Sequence, residues 1–172
     1  MTDENIDDAI LSLQAWETAT SYFAKSIIWF QRIENTLSVC ISAFSGMEEE
    51  IGKIVTTEMS FRAKVAILSA LATYRSKSGE LHEDIQELIK RVRWAEQERN
   101  RLVHSIWDLS EDEPGSLRRE KTSIRKSKHQ VVQENFVPED LEDLVNLFEG
   151  INTDLIYLFS KHYPEIKTRL NN

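Results

Sequence analysis

Apolar residues at Ile6, Ile10, Leu13, Trp16, Phe23, Ile27, Phe30, Leu37, Ile41 and Phe44 recur in steps of three and four. That period places them on one face of an α-helix. The pattern predicts a first helix of about forty residues, packed along its length and ended near Gly46, where glycine can take the left-handed turn that closes a helix. Ile51 to Thr57 reads as a connector with about one turn of helix. Ser60 is an N-cap for a second helix, "FRAKVAILSALATY", whose alanines and apolar residues suggest a mostly buried element; "RSKSG" at 75 to 79 closes it. A third helix runs from about Glu80 to Ser105 with Leu81, Ile85, Leu88, Val92, Ala95, Leu102 and Ile106 as its seam. A fourth starts after Val137, with Pro138 and acids in its first turn, and carries Leu141, Leu144, Phe148, Ile151, Leu155 and Leu158. Four matched apolar stripes predict an all-α fold, an antiparallel four-helix bundle, as a single domain over residues 1–172. An insert of about residues 108–137 separates the last two helices, and a short tail of about 164–172 follows them. The insert holds the turn signal "EDEPGS", whose flanks "WDLS" and "SLRREK" are weakly alternating candidates for a short hairpin.

Composition agrees with that frame: 41% hydrophobic and 29% charged residues, with 5 glycines and 3 prolines, favour long helices over a many-turned β-fold. The single cysteine, Cys40, lies beside the first apolar stripe and reads as an inert buried thiol in a reducing compartment. Neither it nor any carboxylate cluster suggests a metal site, and no cofactor is implied. The start "MTDENIDD" is acidic and polar, and no apolar run approaches the roughly 20 residues a membrane span needs. The expectation is a cytoplasmic protein without a membrane partner. The net charge of −8 argues against nucleic acid as a partner, but its distribution changes the picture. From Leu117 to Lys128, the segment "LRREKTSIRKSK" holds Arg118, Arg119, Lys121, Arg125, Lys126 and Lys128 against one acid, Glu120. Such a segment is either a solvated loop or a basic edge able to meet phosphates.

Two charges interrupt the stripes. Arg99 occupies the seam position after 85, 88, 92 and 95, and Glu34 stands between Phe30 and Leu37. Opposite charges at inward positions of two helices are expected to meet, either to fix helix register or to serve a site. Asn100 and His104 follow Arg99, four residues apart and so on one helix face, with Glu96 one turn before. A guanidinium, an amide and a titratable imidazole therefore gather near one helix end.

At these residues the chain resembles HEPN domains: "RNRLVH" has the R-N-x-x-x-H form of their R-x(4–6)-H signature. The likeness extends to the long first helix with its inward Glu34, "MSFRAKVAIL" opening the second, "ERNRLVHSIW" ending the third, and an insert before the fourth. The resemblance implies a metal-independent endoribonuclease of the kind used as a toxin or phage-defence effector, acting on RNA as a homodimer and paired with a cognate antitoxin or regulatory protein. It implies His104 as the acid/base group, Arg99 as the stabiliser of the pentavalent phosphate, and Asn100 as the residue that orients one or the other. Glu34 and Glu96 would support them from behind, with Arg101 and the basic residues of the insert contacting RNA. Some HEPN proteins keep the bundle only as an interaction or nucleotide-binding module, and that is the alternative. The forms silenced by nucleotidylation carry R-x4-H-x-Y; here Ile106 stands at the tyrosine position, so that control is not expected. Trp94 and Trp107 flank the motif as candidates for a dimer interface or for the core of one chain.

Overall fold

The computed structural model of the chain describes residues 3–76, 80–125 and 128–170. In order these form α1 (Asp3–Ser45), α2 (Glu49–Thr57), α3 (Phe61–Ser76), α4 (Glu80–Val103), β1 (Ile106–Leu109), β2 (Leu117–Arg125), β3 (Lys128–Phe136), α5 (Pro138–Ser160) and α6 (Glu165–Leu170). The chain is mostly helical, as the apolar periods predict. It is not all-α, because the insert folds as an antiparallel sheet of order β1-β2-β3. Two compact units result, one of residues 1–27 with 99–146 and the other of residues 28–98 with 147–172.

In the second unit, local signals set the helix ends. Gly46, at φ 69°, closes α1: its N–H donates to the Ala43 carbonyl at 3.1 Å, and the Met47 N–H reaches the Ser42 carbonyl at 3.0 Å. Ser60 caps α3, its Oγ accepting from the Ala63 N–H at 3.3 Å. Phe30 of α1 stacks on Phe61 at 4.6 Å and tilts against Phe148 of α5 at 6.1 Å. Thr36 donates to Asn152 Oδ1 at 2.8 Å inside the core, and Arg91 of α4 meets Asp154 of α5 at 2.6 Å. The connector expected after Gly46 is a full helix, α2, and its orientation inverts the usual rule. Gly52 and Thr56 face inward, while Ile51, Ile54 and Val55 are exposed, Ile54 by 73%. The reason is closeness: a Cβ on Gly52 would lie 2.0 Å from Ser42 Oγ, so only a glycine lets α2 approach α1 there.

In the first unit, Ala19, Leu102, Leu117 and Leu141 form the core, with Tyr22, Phe23, Trp107 and Leu144 packed on it. The candidate hairpin exists, with Trp107 opposite Arg119 and Leu109 opposite Leu117. A third strand, absent from the sequence reading, continues the register, placing Leu117 opposite Phe136 and Arg119 opposite Glu134. Val137 and Asp140 start α5 together: the Asp140 carboxylate accepts from the Val137 N–H at 2.9 Å. The seam expected along all of α1 fails at its start. Ile6, Ile10, Leu13 and Trp16 are exposed, Leu13 by 59%; of that stretch, Ser12 and Leu11 approach the turn between β1 and β2, at Gly115.

The inward glycine of α2 and the free one of α5 give opposite expectations. Gly52→Ala should destabilise the protein by about 1–3 kcal/mol through overpacking against Ser42. Gly150, whose added Cβ would meet nothing within 4 Å, should instead stabilise by about 0.5–1 kcal/mol when changed to Ala. Urea unfolding of both variants measures the difference; equal midpoints would contradict the packing described.

Candidate functional site at the end of α4

The last turn of α4 is closed by side chains that follow it. Four terminal carbonyls of a helix lack partners within it. Here Ser105 Oγ donates to the Arg101 carbonyl at 2.6 Å and Trp107 Nε1 to the Leu102 carbonyl at 3.0 Å. The His104 N–H still bonds the Asn100 carbonyl at 3.2 Å, so helical geometry carries one residue past Val103. Arg99, Asn100 and His104 therefore stand within little more than one turn. Arg99 Nη1 donates to Asn100 Oδ1 at 3.1 Å. Both are half-buried, whereas the imidazole of His104 is exposed. The arrangement offers a guanidinium steadied by an amide, beside an imidazole open to solvent.

The sheet holds this helix end from one side. Arg119 projects from β2 into the core, 3% exposed, and its Nη2 meets Glu134 Oε2 at 2.7 Å. The same oxygen accepts from Arg101 Nη2 at 3.1 Å, and Arg119 Nη1 lies 3.4 Å from Ser105 Oγ. Phe136 lies beneath the guanidinium, 5.8 Å from its carbon. One of the proposed RNA contacts is thereby corrected: Arg119 is a buried structural cation, and burying it without a carboxylate would cost several kcal/mol, whereas Arg101 pairs with the same Glu134 from a partly exposed position. Nothing in the order of residues marks Glu134, which becomes visible only once β3 is in register.

The other basic candidates divide. Arg118 leans toward Glu111 at 3.8 Å, and Lys121 is half-buried on β2. Arg125 and Lys128 are register partners at the far end of the β2–β3 pair, and Lys126 lies outside the described residues. Trp107 stands edge-on to Phe23 at 6.3 Å and to Phe136 at 5.2 Å, packed against the core of the first unit and half-buried. Trp94 remains 39% exposed.

Glu34 and Glu96 belong to the second unit, and each holds a base from the start of α3. Lys64, 6% exposed, donates to Glu34 Oε1 at 2.9 Å, and Arg62 Nε to Glu96 Oε1 at 3.0 Å. Sequence reading passed over both bases; a lysine within the apolar run "FRAKVAIL" was the available signal. Burial pushes the Cys40 thiol far above its ordinary range, so it stays protonated and unreactive. Among the described residues no three His, Cys, Asp or Glu side chains gather where they could hold a metal ion, and no helix is long and apolar enough to cross a membrane. No family model matches the chain, and neither a curated protein nor a solved structure matches it.

The buried pair can be probed directly. Glu134→Ala leaves the Arg119 guanidinium buried without its carboxylate and should destabilise the protein by about 3 kcal/mol. Arg118→Ala breaks only a long contact with an exposed acid and should cost less than about 1 kcal/mol. Thermal unfolding of the two variants decides: similar losses would mean that Glu134 is no anchor.

Proposed function

We propose that the chain is a metal-independent endoribonuclease of HEPN type, acting on RNA as a homodimer in the manner of a toxin or defence effector. The observation that carries the reading is the grouping at the end of α4: Arg99 bound to Asn100, with His104 exposed one turn on. The mostly helical second unit, in which α1 packs on α3 and α5 and α4 pairs with α5, is compatible with the reading.

In the proposed reaction the ribose 2′-oxygen attacks the adjacent phosphorus, the bond to the 5′-oxygen breaks, and a 2′,3′-cyclic phosphate and a 5′-hydroxyl are left. One His104 takes the 2′-hydroxyl proton, and the His104 of a second copy gives a proton to the departing 5′-oxygen. Two-fold symmetry supplies that second imidazole, because an isologous interface presents the same patch from both chains. Arg99 meets the charge that builds on the phosphoryl oxygens, and its bond to Asn100 limits the reorganisation needed. Phosphate contacts are assigned to the bases of the insert other than the buried Arg119. The ribose hydroxyl serves as nucleophile, so the protein need provide none.

The experiment is incubation of the purified chain with mixed cellular RNA in EDTA. Cleavage is expected, with cyclic or 3′-phosphate ends, and an oligonucleotide carrying 2′-deoxyribose at the scissile position should resist. His104→Ala should lose roughly 100-fold in rate. Mixing wild-type with His104→Ala chains should lower the activity by more than dilution, because a hybrid dimer keeps only one of the two imidazoles. Intact RNA in the presence of folded, dimeric protein would leave the motif to a non-catalytic binding module. Equal cleavage of the deoxy substrate would remove the 2′-hydroxyl mechanism.

A further inference from the structure

The first unit carries two cavities beside the outer half of α1, and they share Trp16. One, of about 210 Å³, is almost wholly apolar, lined by Trp16, Ala19, Phe23, Trp107, Leu117 and Leu141. The other, of about 470 Å³, is lined by Leu13, Trp16 and Leu109 together with Asp108, Glu111 and Arg118. From Leu13 to Phe23 the pair follows α1 for about 15 Å, three turns of a helix. Exposed Ile6 and Ile10 prolong the apolar stripe toward the chain start. Two cavities that share an exposed tryptophan, one apolar and one mixed, beside an exposed apolar stripe mark a place where something docks.

Its rim states the charge of the occupant. Asp108 of β1 and Glu111 of the turn after it line the second cavity, and Asp112 and Glu113 follow in the same turn; all four are exposed acids. Arg118, the one base lining either cavity, is turned to Glu111 at 3.8 Å. Nucleic acid would meet like charge here. A second copy related by two-fold symmetry would set this acidic rim against itself, since the same patch faces itself across such an axis. A helix with one apolar face and one basic face satisfies both features, its apolar residues filling the cavities and its cations meeting the acids.

We propose that this groove binds a basic amphipathic helix of a partner protein, with apolar residues seated on either side of Trp16 and Lys or Arg along the acidic rim. The site is separate from the motif at the end of α4 and holds whether or not the chain cleaves RNA.

The test uses the full chain and a fluorescein-labelled peptide of about 15 residues, long enough to form a helix, made of leucine and lysine with the leucines at i, i+3, i+4 and i+7. A control peptide has the same composition, scrambled so that no apolar face forms. Fluorescence anisotropy should show saturable binding of the first and at least about tenfold weaker binding of the second. Leu13→Lys, at an exposed position, should weaken the first peptide by about tenfold or more. Glu111→Lys combined with Glu113→Lys should weaken it and flatten its salt dependence. Circular dichroism checks that each variant folds; if Leu13→Lys does not, Thr20→Lys, also exposed and lining the apolar cavity, should give the same loss. Equal binding of both peptides, or affinity unchanged in the folded variants, would overturn the proposal. So would self-association of the chain that Leu13→Lys abolishes, because a second copy would then fill the groove, or displacement of the peptide by an RNA oligonucleotide.

Discussion

One carboxylate organises the first unit. Glu134 Oε2 takes hydrogen bonds from Arg119, which is buried, and from Arg101, which belongs to α4. A buried guanidinium tolerates no loss of its counter-ion, so the register of β2 on β3 and the end of α4 are tied to the same atom. A slip of one residue in the β2–β3 register would send Arg119 to the opposite face and leave Glu134 without it. The pair therefore specifies arrangement more than it adds stability, since an apolar replacement of both partners can be as stable. The orientation of Arg99, Asn100 and His104 is inherited from that arrangement through Arg101 and Ser105, which sit among them in the chain.

What could be read from the sequence follows from how each signal works. Gly46, Ser60 and Pro138 mark helix ends through purely local chemistry, and each stands where it was expected. The seam of α4 is buried from Ile85 to Leu102 and that of α5 from Leu141 to Leu155, but Ile106, expected to continue the first, opens β1 and is 63% exposed, because the helix ends at Val103. β3 was invisible for a different reason. Its inward position opposite Arg119 is filled by Glu134, so alternation between apolar and polar, the usual mark of a strand, is replaced by alternation between paired and free charges. The same substitution hid Arg119, which in a list of bases looks like any surface arginine. The outer half of α1 misled in the reverse direction: its period is that of a buried helix, but its apolar side chains are left in solvent.

The motif itself was legible because its three residues are near neighbours on one helix, where spacing alone fixes the face. The partners of Glu34 and Glu96 were not legible: Lys64 and Arg62 reach them across tens of residues of chain, and such partners emerge only when separate helices have been brought together. The exposed apolar stripe of α2 belongs to the same class, because its inward face was chosen by a glycine too small to register in any hydrophobic pattern.

Strand order β1-β2-β3 leaves the outer side of β3 without a neighbour among the described residues, so a row of backbone N–H and C=O groups there is open to any extended segment that approaches. The strand "KHQVVQENF" meets this hazard through composition: Val131 and Val132 are both exposed and stand between glutamines, with charge on either side. Polar flanks of this kind act as gatekeepers against edge-to-edge aggregation. Changes that made this strand more apolar would leave the folded core intact and still lower the concentration at which the protein stays in solution.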